Sequence, residues 1–276
     1  MTMYALHSTV SLFQTGTTSK AIVKNDDHAR YHLYFVLDCQ TEAGLNVLNF
    51  LVNEIDGLHK RLDQSTDCST LLRPYEIIRE CFNSIVGHKT ALIGCCSYAG
   101  AILDRQEMQL YLVNLGNVRC MVYNDKSLNN KAQEIVSTRP HSTNDSQERR
   151  LCEANGFTLI KKPHEPYTLY GSQVTRIFGE SGVSPLLDKA RQILGMVPDF
   201  GVCDLSPYYK KSFMSVQCLL STSIVFDQIS PESILRSKIL RTATPSQLGL
   251  FLKNVLVSDD RMPLALTIMK LSFMIS

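Results

Sequence analysis

Leu110-Tyr-Leu-Val-Asn-Leu-Gly-Asn-Val-Arg-Cys120 is the run from which the architecture of this chain is most readily predicted. It begins with alternating apolar side chains, is interrupted at Asn114 and Gly116, and continues as the β-rich segment Val118–Tyr123. Two β-rich segments joined by a turn that contains glycine are typical of a β-hairpin. The sequence therefore predicts a hairpin over residues 110–123.

The overall composition excludes several classes of partner. The chain has 276 residues, 44% of them hydrophobic, and a net charge of +2 without a block of Lys or Arg. A charge this small, without a basic cluster, does not indicate a surface that binds nucleic acid. No apolar run reaches the roughly 18–20 residues that span a bilayer, and Met1–Gln14 lacks the pattern of a secretory signal. We therefore expect neither nucleic acid nor a membrane as a partner.

The cysteines indicate the compartment. There are nine, an odd number, and none form the Cys-x-x-Cys pairs typical of metal sites. Cys95, Cys96 and Cys218 lie inside apolar runs. Buried free thiols are therefore favoured over a disulfide framework, and a reducing intracellular location, cytoplasmic or nuclear, is expected.

Hydrophobic periodicity predicts alternating strands and helices. His32–Asp38 is apolar on both faces, as in a strand buried between two layers. Glu42–Lys60 and Leu71–Ile85 have apolar residues at helical spacing, with Pro74 in the first turn of the second helix. Further strands are predicted at Tyr4–Phe13, Ala21–Lys24, Ala91–Leu103, Met108–Tyr123, Ile135–Val136, Phe157–Ile160, Gly201–Leu205, Met214–Ser221 and Leu264–Phe273. Further helices are predicted at Asn144–Ala154, capped by Asn144 or Ser142, and at Ser184–Leu194, Pro231–Arg241 and Pro245–Val257.

These elements predict an α+β fold in four layers. Two antiparallel sheets, each covered by a pair of helices, would bury both faces of every sheet. The first two helices would cover one sheet, and the helices at Pro231–Arg241 and Pro245–Val257 would cover the other. No linker or internal repeat divides the chain, so a single domain over residues 1–276 is expected.

The run at Leu110 resembles the Leu-Tyr-Val-Ala-Asn-x-Gly-Asp-Ser-Arg hairpin of the type 2C (PPM) metal-dependent Ser/Thr protein phosphatases. Other segments resemble motifs of that family in the family's own order. They are Tyr34–Gln40, Thr90-Ala91, Glu148–Phe157, Val174–Glu180, Val197–Asp199, Leu219–Ser230 and Ser258–Met262. The resemblance covers nearly the whole chain and implies the αββα sandwich of these phosphatases.

The resemblance also implies a chemistry. In the family, water held between two Mg²⁺ or Mn²⁺ ions hydrolyses a phosphomonoester, and such ions require several converging carboxylates. Asp38 would be the bridging carboxylate and Asp260 the late metal ligand. Asp26 or Asp27 would match the early acidic motif and His28 the general acid beside it; a solvated acidic turn is the alternative for these residues. Asp38 and Asp260 are then expected to approach each other, with Ser223 close by.

Several positions depart from the family pattern. Ser223 and Asn117 replace aspartates of the family, Cys39 replaces a glycine, and Arg261 replaces an asparagine. Gln40 replaces a histidine, and Arg139-Pro140 stands where the family has Asp-His. Each lost carboxylate removes negative charge that two dications need, and Arg261 would compete with a metal for Asp260. His141 and His164 have no partners at ligand spacing and are expected at the surface.

The sequence is compatible with two functions. The first is a pseudophosphatase, a catalytically inactive phosphatase-like module that binds another protein, without a cofactor. The alternative is a divergent but active Mn²⁺- or Mg²⁺-dependent protein Ser/Thr phosphatase that uses Asp38, Asp260 and an early aspartate. A purely structural subunit is not distinguishable from the first by sequence.

Overall fold

The computed structural model of the chain describes residues 4–15, 18–26, 28–39, 42–65, 74–87, 94–124, 133–182, 184–209, 215–221, 247 and 264–275. Its strands, in chain order, begin with β1 (Tyr4–Thr15), β2 (Ser19–Lys24), β3 (Tyr31–Cys39), β4 (Gly94–Asp104), β5 (Gln109–Leu115), β6 (Arg119–Asn124) and β7 (Gln133–Ser137). They continue with β8 (Ile160–Lys161), β9 (Tyr167–Thr168), β10 (Phe178–Glu180), β11 (Asp199–Asp204), β12 (Ser215–Ser221) and β13 (Leu264–Ile275). The helices are α1 (Leu45–Ser65), α2 (Pro74–Gly87), α3 (Ser146–Ala154), α4 (Pro185–Leu194) and the short α5 (Ser206–Tyr209), with a 3-10 turn at Glu42–Gly44.

The described strands form two main antiparallel sheets. The first sheet has the order β11-β5-β4-β3-β2, with β10 added beside one end of β4. The second sheet has the order β1-β13-β12-β6-β7. Strands β8 and β9 form a separate two-stranded ribbon. The predicted α+β fold with antiparallel sheets is confirmed.

Helices α1 and α2 cover the outer face of the first sheet. Leu51 and Ile55 of α1, together with Phe82 of α2, are buried against the side chains that β3 and β4 direct outward. The Phe82 ring stacks on Tyr98 of β4, with ring centroids 5.3 Å apart. Both helices were predicted, because their apolar residues recur every three or four positions and face one side.

A second apolar core lies between the two sheets. Val36 and Leu112 of the first sheet share this core with Val122, Cys218 and Leu220 of the second. Strand β3 contributes alternate residues to each core, which explains why both of its faces are apolar. The eight cysteines of the described part of the chain are free and buried, as their positions in apolar runs predict.

The predicted hairpin at residues 110–123 is wrong. Strands β5 and β6 both form, but β5 belongs to the first sheet and β6 to the second. The turn at Gly116 and Asn117 therefore carries the chain from one sheet across to the other. Two apolar runs separated by a turn have the same sequence pattern in a hairpin and in a sheet crossing, so the pattern could not distinguish them.

Several local predictions need correction. The N-cap of α3 is Asp145, whose carboxylate accepts from the N–H groups of Gln147 and Glu148; Asn144 and Ser142 do not cap it. The predicted helices at Pro231–Arg241 and Pro245–Val257 lie outside the described residues. Within the described residues, no helix is long and apolar enough to cross a membrane.

Candidate functional site

Asp38 lies near the end of β3, between two serines on the neighbouring strands. It is directly opposite Ser19 of β2 and Ser97 of β4 in the antiparallel register. The Ser19 hydroxyl donates a hydrogen bond to Asp38 Oδ1 at 2.6 Å. Both serines are buried, and Asp38 is partly buried. The two side chains directly flanking this carboxylate are therefore neutral hydroxyls.

Burial changes the acidity of Asp38. It raises the pKa of the carboxyl from 3.8 to about 6, although the hydrogen bond from Ser19 acts in the opposite direction. Between these two values the folded protein binds more protons than the unfolded chain. The free energy of unfolding therefore falls as the pH rises through this window.

Replacing Asp38 with Asn should stabilise the protein at about pH 8, because the buried charge is removed while an oxygen remains to accept from Ser19. The expected gain in the free energy of unfolding is on the order of 2 kcal/mol, reduced by partial solvent screening, and it should be small at about pH 4. Urea unfolding at both pH values measures it. Asp26→Asn makes the same chemical change in an exposed loop and is the control. An equal effect of Asp38→Asn at both pH values would contradict the prediction.

The turn between the sheets packs directly on this site. Gly116 has φ +94°, and a Cβ atom added to it would lie 2.1 Å from the Ser97 hydroxyl oxygen. The backbone N–H of Asn117 donates to that hydroxyl at 3.3 Å. The Asn114 amide donates to the carbonyl of Arg139 at 2.7 Å and fixes the preceding part of β5. Only glycine fits this turn, because any side chain would overlap Ser97.

Cys39, which follows Asp38, is buried. Its thiol donates to the carbonyl of Gly44 at 3.2 Å. Gly44 is itself packed against the Cys39 side chain, since an added Cβ would lie 2.8 Å from Cys39 Cβ. The cysteine therefore fills space between β3 and the start of α1. Gln40 lies outside the described residues.

His141 was predicted at the surface, and this prediction is wrong. Its side chain is completely buried. The N–H of Gly116 donates to His141 Nδ1 at 3.1 Å, so Nε2 carries the proton and donates to Asp199 Oδ2 at 3.1 Å. Sequence spacing did not reveal this pairing, since Asp199 lies 58 residues away along the chain.

Asp199 connects His141 to a buried ion pair. Arg176 donates to Glu148 Oε1 at 2.6 Å and lies 3.4 Å from Asp199 Oδ1. The Thr175 hydroxyl donates to the other oxygen of Glu148 at 2.6 Å. Burial acts to raise the pKa of Asp199, but the hydrogen bond from His141 and the charge of Arg176 lower it overall. We call the four residues His141, Asp199, Arg176 and Glu148, each in contact with the next, the histidine–arginine network.

The structure does not bring the early acidic residues to Asp38. Asp26 and His28 lie in the connection between β2 and β3, where the Asp26 carboxylate accepts from the backbone N–H of His28 at 2.9 Å. Asp38 pairs with the opposite end of β2, at Ser19. Strand geometry places the connection roughly 20 Å from Asp38. The contacts of Asp26 and His28 fit the solvated turn that was the alternative for these residues.

Other predicted residues lie outside the described part of the chain. These are Asp27, Asp260, Ser223 and Arg261. The expected approach of Asp260 to Asp38 stays a prediction.

The described donors around Asp38 do not fit a two-metal centre. Mg²⁺ and Mn²⁺ need near-octahedral oxygen ligands that include several carboxylates. Here one carboxylate is flanked by Ser19 and Ser97 and already accepts a hydrogen bond. Within the described residues, no three His, Cys, Asp or Glu side chains lie together in an arrangement that could hold a metal ion.

Comparison with known proteins identifies the fold. No protein-family model and no curated protein sequence matches the chain. Solved structures do match. A sex determining protein of C. elegans superposes with a TM-score of 0.65 at 13% identity and covers 96% of this chain, which spans 64% of that protein's chain.

Two phosphatases match over nearly their whole length. Serine-threonine phosphatase 2C of Toxoplasma gondii superposes with a TM-score of 0.59 at 13% identity, covering 96% of this chain and 94% of its own. The serine/threonine phosphatase PstP of Mycobacterium tuberculosis has a TM-score of 0.56 at 13% identity, covering 97% and 99%. The PstP catalytic domain is also known in complex with two manganese ions. The chain therefore has the fold of the type 2C Ser/Thr phosphatases.

Proposed function

We propose that this chain is a pseudophosphatase, a phosphatase-like domain that has lost its chemistry and acts as a protein-binding regulatory module. The observation that carries the proposal is the pair of serines beside Asp38. Ser19 and Ser97 occupy the positions directly opposite this carboxylate on both neighbouring strands. A neutral hydroxyl does not supply the charge that offsets the dehydration of Mg²⁺.

The sequence supports the same proposal at positions beyond the described residues. Ser223 replaces an aspartate of the family motif, and Arg261 would place a cation beside Asp260. A guanidinium near Asp260 or Asp38 would form a salt bridge where the family holds an ion. The domain would then be kept for its surface, with another protein as its partner in the cytoplasm or nucleus.

We expect the purified protein to show no Mn²⁺-dependent turnover of a phosphopeptide and weak or no Mn²⁺ binding in calorimetric titration. Asp38→Ala is the control. Turnover that Asp38→Ala abolishes would overturn the proposal. Ser223→Asp alone should restore nothing, because Arg261 and Cys39 remain. Adding Arg261→Asn and Cys39→Gly to it gives the variant that favours metal binding most, although Ser19 and Ser97 still flank Asp38.

The second function is a divergent but active phosphatase that uses Mn²⁺ or Mg²⁺. Asp38 favours it, because a carboxylate near the end of β3 is an oxygen ligand of the kind that Mn²⁺ and Mg²⁺ prefer. Manganese occupies the related catalytic domain of PstP. The turnover assay with Asp38→Ala distinguishes this function from the first.

A further inference from the structure

Strand β11 is the terminal strand of the first sheet among the described residues, and its ladder with β5 shows which of its backbone groups are left at the edge. Just beyond the strand, the N–H of Leu205 donates to the carbonyl of Met108 at 2.8 Å. Antiparallel pairs alternate between bonded and non-bonded residues. Counting back from Leu205 through the register, Phe200 and Val202 are non-bonded pairs. Their N–H and C=O groups therefore point away from β5.

Two cavities touch strand β11. The first, of about 590 Å³, is bounded by Tyr75 and Arg79 of α2 on one side and by Val136 and Arg139, in and just after β7, on the other. The second, of about 580 Å³, lies between the start of α2 at Pro74 and Tyr75 and the first sheet at Tyr111 and Val202, and it extends away from β11 to Arg30 and Glu107. We call the two cavities together the β11 groove. Asp199, Phe200 and Gly201 of β11 line the first cavity, and Val202 lines the second.

The groove has apolar walls that are open to solvent. Val197 and Val202 are 52% and 49% exposed, which is unusual for valines in or beside a strand. Phe200 and Tyr75 meet edge to face, with ring centroids 6.1 Å apart. An exposed strand edge flanked by apolar side chains is a template for pairing with another strand.

The charge of the groove is positive on both walls. Arg79 on the α2 wall and Arg139 on the β7 wall are exposed. Asp199 at the end of the groove is already bound to His141 and Arg176. Glu107, in the second cavity, lies 3.9 Å from Arg30. An incoming strand would therefore meet one arginine on each face.

The groove is separate from the carboxylate site. Asp38 lies on β3, and β4 and β5 stand between β3 and β11. Three strand spacings of about 4.8 Å place β11 roughly 14 Å from β3. A ligand in the groove would not need to contact Asp38.

We propose that the β11 groove binds an extended acidic segment of a partner protein, which pairs with β11 as an added strand. Main-chain hydrogen bonds to Phe200 and Val202 provide affinity, and alternate side chains face α2 and β7. Two adjacent acidic residues would meet Arg79 and Arg139, and flanking β-branched residues would cover the apolar walls. A second copy of this chain would bring the same arginines and fits less well. The inference rests on the protein-binding role proposed above and names its surface.

The test is fluorescence anisotropy with a labelled peptide, Gly-Ile-Val-Glu-Asp-Ile-Val-Gly, and a control peptide in which Lys-Lys replaces Glu-Asp. The acidic peptide should bind saturably in the micromolar range, and the lysine peptide at least tenfold more weakly. Val202→Pro removes an outward N–H without breaking a bond to β5 and should weaken binding at least tenfold. Val202→Thr keeps the N–H and should bind within twofold of the wild type.

Arg79→Glu combined with Arg139→Glu is the second test variant, and it should also weaken binding at least tenfold; circular dichroism melts verify folding. No saturable binding by the acidic peptide, or equal binding to Val202→Pro or the double variant, would overturn the inference. A concentration-dependent dimer that the peptide dissociates would identify a second copy as the occupant and would also overturn it. If the protein turned over a phosphopeptide, only the proposed catalytic inactivity would be overturned. The inference about the β11 groove would stand, because it depends on the anisotropy result.

Discussion

Replacing Glu148 with Ala is expected to lower the free energy of unfolding by about 3–5 kcal/mol, because it leaves the charge of Arg176 buried without its main partner. Glu148 accepts from Arg176 and from the Thr175 hydroxyl, each at 2.6 Å, and both members of the ion pair are largely buried. Burial lowers the pKa of Arg176, but the bonds to Glu148 and Asp199 outweigh it and raise the pKa overall. An arginine side chain is not deprotonated in proteins, so Arg176 stays charged in the variant and keeps only Asp199, 3.4 Å away, as a carboxylate partner.

Urea unfolding of Glu148→Ala at neutral pH measures this loss. Glu153→Ala is the matched control, because Glu153 lies on the same helix and is exposed. Its effect should stay within about 0.5 kcal/mol. A loss below about 1 kcal/mol for Glu148→Ala would show that the histidine–arginine network does not hold this part of the fold together.

Gly116→Ala is expected to cost about 2–4 kcal/mol. Part of the cost is the strain of a side chain at φ +94°, about 1–2 kcal/mol, and the rest is overlap with Ser97. Gly156→Ala isolates the first part, because Gly156 has φ +80° and nothing lies within 4 Å of the added Cβ. Thermal and urea unfolding of both variants separate the two contributions.

Ser97→Gly should partly rescue Gly116→Ala, because it removes the two closest atoms, at 2.1 and 2.5 Å. The double variant should therefore be more stable than the sum of the single effects predicts. Equal costs for Gly116→Ala and Gly156→Ala would contradict the packing of the turn on Ser97.

The layers of the fold were predictable because each element carries a local pattern. Helix α2 has Ile78, Phe82 and Ile85 on one face, and β3 is apolar on both faces, so the sequence indicates what each must pack against. The partner of each strand is not a local property. The run from Leu110 predicts two strands correctly but cannot show that they belong to different sheets.

The position of Asp38 in the fold was predictable, because this residue lies near the end of a strong strand; its role as a metal ligand stays a prediction. Asp26 or Asp27 was matched to the early acidic motif of the phosphatases that the sequence resembles, but the register of β2 with β3 brings Ser19 beside Asp38 instead. Counting residues outward in both directions from the turn that connects β2 and β3 would have placed Ser19 opposite Asp38. His141 was missed because its partner Asp199 is distant in sequence and is brought to it only by the packing of the two sheets.

The order of the second sheet also determines when the chain can fold. Strand β13 lies between β1 and β12, and its register joins Tyr4 to Ile275 and Thr15 to Leu264. Closing so long a loop makes this pairing a high-contact-order step, which slows folding. During synthesis, β1 must wait for β13 to leave the ribosome before the two can pair. Until then one edge of β12 also lacks its neighbour, so the nascent second sheet exposes strand edges that chaperones would have to protect.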